Sequence, residues 1–336
     1  MKTLYVWLVV SICTIILVNP ALSAPKYADV EIPDTIRVIV SYNAGGSSDA
    51  LARITLPHWE KAIKELTGKS TSAIVVNLPG AGGEVGWTSL SHAQADGSTI
   101  GIINLPAVPI VQAAREAGFE PWLEKFTALG VNVIDPNVVR LGKRSKFNTL
   151  AEAIEAAKKE PGSVTIGADG PLSDDHVAMY ALEQATGAKF TFIPYPGGSP
   201  ANRSFMSGEV DIAIGNVFDH VKTKTSAKEA VVLLNERYPL IEDIPTIKEL
   251  LGIELGEFGS TRGFAAPTGT PEALVTVYRE AFDLAFNDES YKKEAVKRNI
   301  TIVTPRIGDD FTKVMEENER ITQDLLQLFI DGGFIK

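Results

Sequence analysis

The sequence predicts an α/β protein built as two lobes around a ligand cleft. Three observations carry this reading: short β-branched runs alternate with helical patterns, the alternation comes in two series, and four glycine-rich corners directly follow strand candidates. A chain of 336 residues, 45% hydrophobic and 22% charged, is long enough for two cores rather than one.

In chain order, the first series opens with "TIRVIVS" (35–41), followed by a helical stretch at 48–66. "AIVVN" (73–77) and a helix at 83–94 come next, then "TIGIIN" (99–104) and a shorter helix near 108–116. The second series starts after about residue 130, with strands at "NVVRLG", "SVTIGA", "KFTFIP", "VDIAIGN" and "AVVLLN" and helices near 149–159, 174–186 and 199–207. Such alternation predicts βαβ units in a mainly parallel sheet. The tail from 271 to 331 reads as nearly all helical, and no flexible Gly/Ser linker parts the two series.

Residues 1–23 read as a secretory leader. Lys2 gives a positive start, "LYVWLVVSICTIILV" is a continuous apolar run, Pro20 breaks it, and Ala21 and Ser23 supply small residues for cleavage before Ala24. The single cysteine, Cys13, lies inside that leader, so the mature chain has no thiol for a disulfide or a cysteine metal site. Ile12 stands where a lipid-anchored leader needs a small residue, which favours soluble export.

A net charge of −10 argues against a nucleic-acid partner, whose footprint is a basic patch. It leaves a small anionic ligand open, because backbone dipoles bind anions inside acidic proteins. Open α/β sheets hold ligands beyond the carboxyl ends of their strands, where "NAGGSSD", "LPGAGGE", "ADGPLSDDH" and "YPGGSPAN" all fall. In the first corner, glycines permit a turn, and Ser47, Ser48 and Asp49 suit the start of a helix. The corner reads either as an anion site or as a capped turn.

Enzyme signatures are missing. "PGAGGEVG" departs from the dinucleotide fingerprint, no GK[ST] phosphate loop occurs, and "GGSPA" ends in alanine where a nucleophile elbow needs glycine. The four histidines are scattered. "DDH" at 174–176 puts adjacent side chains in different directions, so His176 reads as a loop-organising hydrogen-bonding residue and no metal site is expected. "MEENER" reads as a solvated helix face, and the sparse aromatics make no stacking platform.

Several motifs in order carry a family resemblance: "GGSSDALAR", "VVNLPGAGGEVGWTSLSHAQADGSTIG", "DDHVAMYALEQATG", "IPYPGGSPANRSFMSGEVDIAIG", "IPTIKELLG" and "GFAAPTGTP". With them the mature chain resembles, over essentially its whole length, the tripartite tricarboxylate transporter receptors, or Bug receptors. The resemblance implies a type II periplasmic binding protein fold, with lobe 1 formed by 24–130 plus 240–336 and lobe 2 by 131–239. It also implies a monomeric extracytoplasmic receptor that captures a small organic carboxylate, delivers it to a two-component membrane permease, and needs no cofactor. The alternative is an exported α/β enzyme or a receptor-derived sensory protein working without its permease.

In that family the carboxylate is gripped by the loop after the first strand and by a facing loop of the other lobe. Carried over, these are Tyr42–Asp49 and Ala168–Ser173. The ligand-binding expectation is Tyr42, Gly45, Gly46, Ser47, Ser48 and Asp49 on one side, and Asp169, Gly170 and Ser173 on the other, with Gly82, Gly83 and Gly197 from the remaining corners. The N–H groups of Gly45, Gly46, Ser47 and Ser48 would form a donor set at a helix N-terminus. Asp49 would cap the helix or receive a ligand ammonium or water, and Arg53 would be a structural or interlobe ion-pair residue. The chain departs from the family pattern in "SYNAGG", which brings Tyr42 and Asn43, and in "DGPLSDD", which brings Asp169, Asp174 and Asp175. Carboxylates beside the cleft disfavour a citrate-like polyanion and favour a monocarboxylate or a zwitterion.

Overall fold

Alternating side chains on the first strand already require a layer on each side of the sheet. In β1 (Thr35–Val40), Ile36, Val38 and Val40 point into one core while Ile39 joins another. The first core is covered by α1 (Ser47–Thr67), whose Leu51, Ile54, Trp59, Ile63 and Leu66 are buried at helical spacing. Gly68, in the left-handed conformation at φ 74°, ends α1 and donates its N–H to Lys64 O. The computed structural model describes residues 24–255 and 257–331; the leader expected at 1–23 lies outside them.

The chain continues through β2 (Ser72–Asn77), α2 (Glu84–Ser91), β3 (Thr99–Leu105), α3 (Ala107–Ala114) and the short α4 (Trp122–Lys125). A 17-residue strand, β4 (Phe126–Gly142), follows. Then come α5 (Leu150–Lys159), β5 (Thr165–Asp169), α6 (Asp174–Thr186), β6 (Thr191–Tyr195), α7 (Gly198–Ser207), β7 (Ile212–Asn216), α8 (Val217–Thr223) and β8 (Ala227–Val232). The last elements are α9 (Ile247–Leu251), β9 (Gly259–Pro267), α10 (Glu272–Asn287), α11 (Glu289–Lys297), β10 (Ile302–Ile307) and α12 (Asp309–Asp331).

β4 belongs to two sheet sections. Its residues up to Pro136 pair with β9, in a section ordered β2-β1-β3-β9-β4 with β10 also on β4. From Asn137 onward it pairs with β7 and β8, and β7 continues to β5 and β6. The chain therefore passes between the two sheet sections at Pro136–Asn137 and again at Leu233–Phe258, where Asn137 N–H donates to Phe258 O at 2.9 Å and Phe258 N–H to Leu233 O at 3.1 Å. α12 packs against α3 and α6 and so touches both lobes.

Three expectations need correcting. The sheet is mixed rather than mainly parallel, since β9, β4, β7, β8 and β10 are joined by antiparallel pairings. The tail, expected to be nearly all helical, is helical in α10, α11 and α12 but also carries the strand β10. β9 and the first half of β4 were not expected as strands, and "AVVLLN" leaves the ladder after Val232.

Candidate functional site

The carboxyl ends of β1 and β3 and the amino end of β9, which runs antiparallel to β3, meet the carboxyl ends of β5 and β6 across the space between the lobes. A small polar pocket lies there. Its lining is Tyr42, Gly46, Ser47 and Ser48 after β1, Asn104 in β3, Ser260 and Arg262 in β9, and Asp169, Asp174 and Gly198 from the other lobe. It encloses about 10 Å³, room for about one water. A pocket of this size has no room for anything larger than that. Beside it, sharing Tyr42, is a second cavity of about 200 Å³ lined by residues 80–83, Gly170, Pro171 and residues 194–197.

The α1 end of the polar pocket offers donors. Gly46 is the N-cap of α1, and the N–H groups of Ser47 and Ser48 fall in its first turn, where no helical carbonyl precedes them. Neither is taken up by another described residue. Ser48 Oγ accepts from Asn104 Nδ2 at 3.0 Å. With the macrodipole, such an end favours an anion by about 0.3–1 kcal/mol.

Of the expected site residues, Tyr42, Gly46, Ser47, Ser48 and Asp169 line the polar pocket, and Gly82, Gly83, Gly170 and Gly197 line the adjoining cavity. Three line neither. Gly45 N–H is spent on Asp49 Oδ2 at 2.9 Å, so it is not part of the donor set. Asp49 is 4% exposed and holds Arg53 by a bifurcated bond from Nε at 3.0 Å and an ion pair to Nη2 at 2.9 Å. Burial opposes its ionisation, but the bonds from Arg53 and Gly45 win and hold the carboxyl below its usual range. Arg53 thus forms its ion pair within α1 rather than between lobes. Ser173 is buried as the N-cap of α6, accepting from His176 N–H.

His176 is 0% exposed; its Nδ1 accepts from Leu172 N–H at 3.1 Å, and its ring stacks on Phe192 at 4.0 Å. Burial pushes its pKa down to about 3, so the ring is neutral. Leu172 sits at φ 68°, unusual for a residue with a side chain, and the histidine bond holds the facing loop in that conformation.

Several contacts close the cleft. Lys222 Nζ donates to Gly45 O at 2.9 Å, and Asn43 Nδ2 donates to Pro196 O. Gly82, at φ 68°, approaches the facing loop so closely that a Cβ on it would stand 2.5 Å from Pro171 O.

Sequence reasoning missed Asn104, Ser260 and Arg262. The signal for Asn104 was its place at the carboxyl end of a strand. For Arg262 it was a lone cation before the apolar run "GFAAP". Arg262 is 3% exposed, pairs with Asp135 at 2.7 Å and donates to Asn216 Oδ1 at 2.6 Å. Asn216 and Asn137 each donate to Asp174 Oδ2 at 3.0 Å, and Asn137 also to Asp175 at 2.7 Å. Asp219 lies below, accepting from Asn202, which in turn accepts from the buried Arg140.

Five aspartates thus surround two arginines in this base. Burial pushes Asp135 up to about 6 despite Arg262, and burial with neighbouring carboxylates pushes Asp169 and Asp175 well above the usual range. A carboxyl whose pKa is higher in the folded than in the unfolded state keeps its proton longer when folded. Stability then falls as pH rises from about 4 through about 6, and Asp169 and Asp175 carry the trend higher. Asp49 and Asp288 act oppositely, losing stability below about pH 4. Urea midpoints should therefore be higher at pH 5 than at pH 7.5; the reverse order would show that these acids are not buried together.

Comparison with known proteins places the chain among binding proteins. The model of the family described as "Tripartite tricarboxylate transporter family receptor" matches residues 60–327. Protein BugT of Bordetella pertussis is 25% identical over 300 residues, covering 87% of this chain and 89% of BugT. The structure of periplasmic binding protein BugD superimposes with a TM-score of 0.78 at 23% identity, covering 91% of this chain and 100% of that one. MatC from Rhodopseudomonas palustris with bound malate gives 0.75 at 22%, covering 87% and 98%.

Proposed function

Because the chain belongs to the tripartite tricarboxylate transporter receptor family, whose members are solute-binding receptors and not enzymes, we propose that it captures a small organic carboxylate and hands it to a membrane permease. The observation that carries the reading is the free first turn of α1, with Ser47 and Ser48 facing the Asp169 loop across a pocket that both lobes build. The malate bound by the similar MatC supports the ligand class. Tyr42, Gly46, Ser47 and Ser48 would hold the carboxylate, while Gly82, Gly83, Gly170 and Gly197 let the lobes close around the rest of the ligand.

The lobes we assign change over where β4 and the segment before β9 change partners, about six residues after the boundary expected at 130. The receptor would act as a monomer outside the cytoplasmic membrane after loss of residues 1–23. Among the described residues no helix is long and apolar enough to cross a membrane.

A thermal-shift screen of organic acids tests the proposal. A ligand at 100 times its Kd adds about 2.7 kcal/mol, and at least one carboxylate should raise the melting temperature by several degrees and be recovered unchanged, one per chain. Consumption of the compound would argue for an enzyme instead.

A further inference from the structure

The acceptors of the polar pocket say more about the ligand than its donors do. Asp169 Oδ1 is buried and bonded to no other described residue. Asn104, 4% exposed and in the same lining, also leaves its Oδ1 unbonded. Asn104 Oδ1 only accepts, and so does Asp169 once ionised, so a carboxylate ligand satisfies neither acceptor, whereas an ammonium supplies donors to both. Arg262, 3% exposed and lining the same pocket, leaves Nε unbonded as a donor. The pocket therefore holds unused groups of both signs. The adjoining cavity is different: its lining of prolines, glycines, Ala81, Tyr42 and Tyr195 contains no charged side chain. A second carboxylate there would find no cation.

We propose that Asp169 and Asn104 form an ammonium subsite, so that the receptor selects a zwitterion with one carboxylate, one ammonium and an apolar side chain over a dicarboxylate. The carboxylate would lie on the α1 N-terminus near Arg262, the ammonium at Asp169 and Asn104, and the side chain in the cavity beside Tyr42. This rests on the carboxylate-receptor reading and narrows it.

Burial and the carboxylates of Asp219 and Asp174 raise Asp169, against the cations Arg262 and Arg140. Asp175 and Tyr42 are charge neighbours of Asp169 as well. An arriving ammonium reverses that balance and ionises Asp169, so binding releases a proton.

The test is calorimetry of the full mature chain with leucine and phenylalanine, with their deaminated analogues 4-methylpentanoate and 3-phenylpropanoate, and with malate and adipate. At least one amino acid should bind about 10–100-fold tighter than its deaminated analogue, the range of a charge-assisted hydrogen bond. D169N should collapse that ratio toward one while still binding the deaminated acid. Titrations in buffers of different ionisation enthalpy should show up to about one proton released per amino acid by the wild type and none by D169N. N104A should narrow the same ratio less, which keeps the proposal testable if D169N is unstable. Equal or tighter binding of the deaminated acids or dicarboxylates, unchanged in D169N, overturns the ammonium subsite and leaves the carboxylate reading standing. Failure of all six while another acid of the thermal-shift screen binds overturns the ammonium subsite alone, and failure of that whole screen overturns both.

Discussion

Arg262→Met should destabilise the protein by about 3–5 kcal/mol at pH 7, the cost of leaving a buried carboxylate without its partner. Arg262 and Asp135 are 3% and 1% exposed, and the guanidinium is the only cation bonded to that carboxylate among the described residues. Methionine fills much of the volume but supplies no charge and no donor to Asn216, whose own bonds reach Asp174. Asp135, already raised to about 6 with the arginine present, would rise further and hold its proton at neutral pH. The loss should therefore shrink on acidification, because the unfolded chain gains that proton only near pH 4. Urea unfolding at pH 7 and pH 5 measures both. A loss under about 1 kcal/mol at pH 7 would mean that Asp135 finds water or another donor and that the base of the cleft is not sealed.

The parts of the fold legible in the sequence are those where pattern and structure share a local cause. β1, β2, β3, β5, β6 and β7 coincide with β-branched runs, and α1 and α5 with apolar spacing and clear caps. β9 escaped because "GSTRGFAAP" is rich in small residues. Gly263 stands where the Phe311 ring packs, 2.2 Å from the position a Cβ would take, so its strand is specified by a contact some fifty residues away. β10 escaped because Pro305 and Arg306 break the alternation and only its pairing with β4 makes it a strand. The same limit shaped the site. The serines and glycines of the first corner were readable because a helix N-terminus is a local motif, whereas Asn104 and Arg262 reach the cleft through a sheet order that places β9 between β3 and β4. Asp49 was misplaced for the opposite reason: its partners, Gly45 and Arg53, were close in sequence but turned it away from the cleft.

Gly46→Trp should abolish capture while leaving the fold intact. Gly46 has φ −77° and ψ 175°, an extended conformation open to any residue. The nearest atom to an added Cβ is Asn43 O at 3.3 Å, a tight contact that a small shift relieves. Its neighbourhood is the cleft rather than the core, so an indole there occupies the polar pocket and covers the N–H groups of Ser47 and Ser48. Gly46→Ala provides the control, expected to lose far less because a methyl group leaves most of the donors open.

The measurement that bears most directly on the proposed role is titration calorimetry of the wild type and Gly46→Trp with the same carboxylate, chosen as the compound giving the largest thermal shift on the wild type. Binding at one ligand per chain in the wild type, and affinity weakened at least about 100-fold in a Gly46→Trp protein that melts as a single folded species, is the predicted result. Undiminished affinity in that variant would contradict it, removing the α1 corner from the site and leaving "NAGGSSD" as a capped turn.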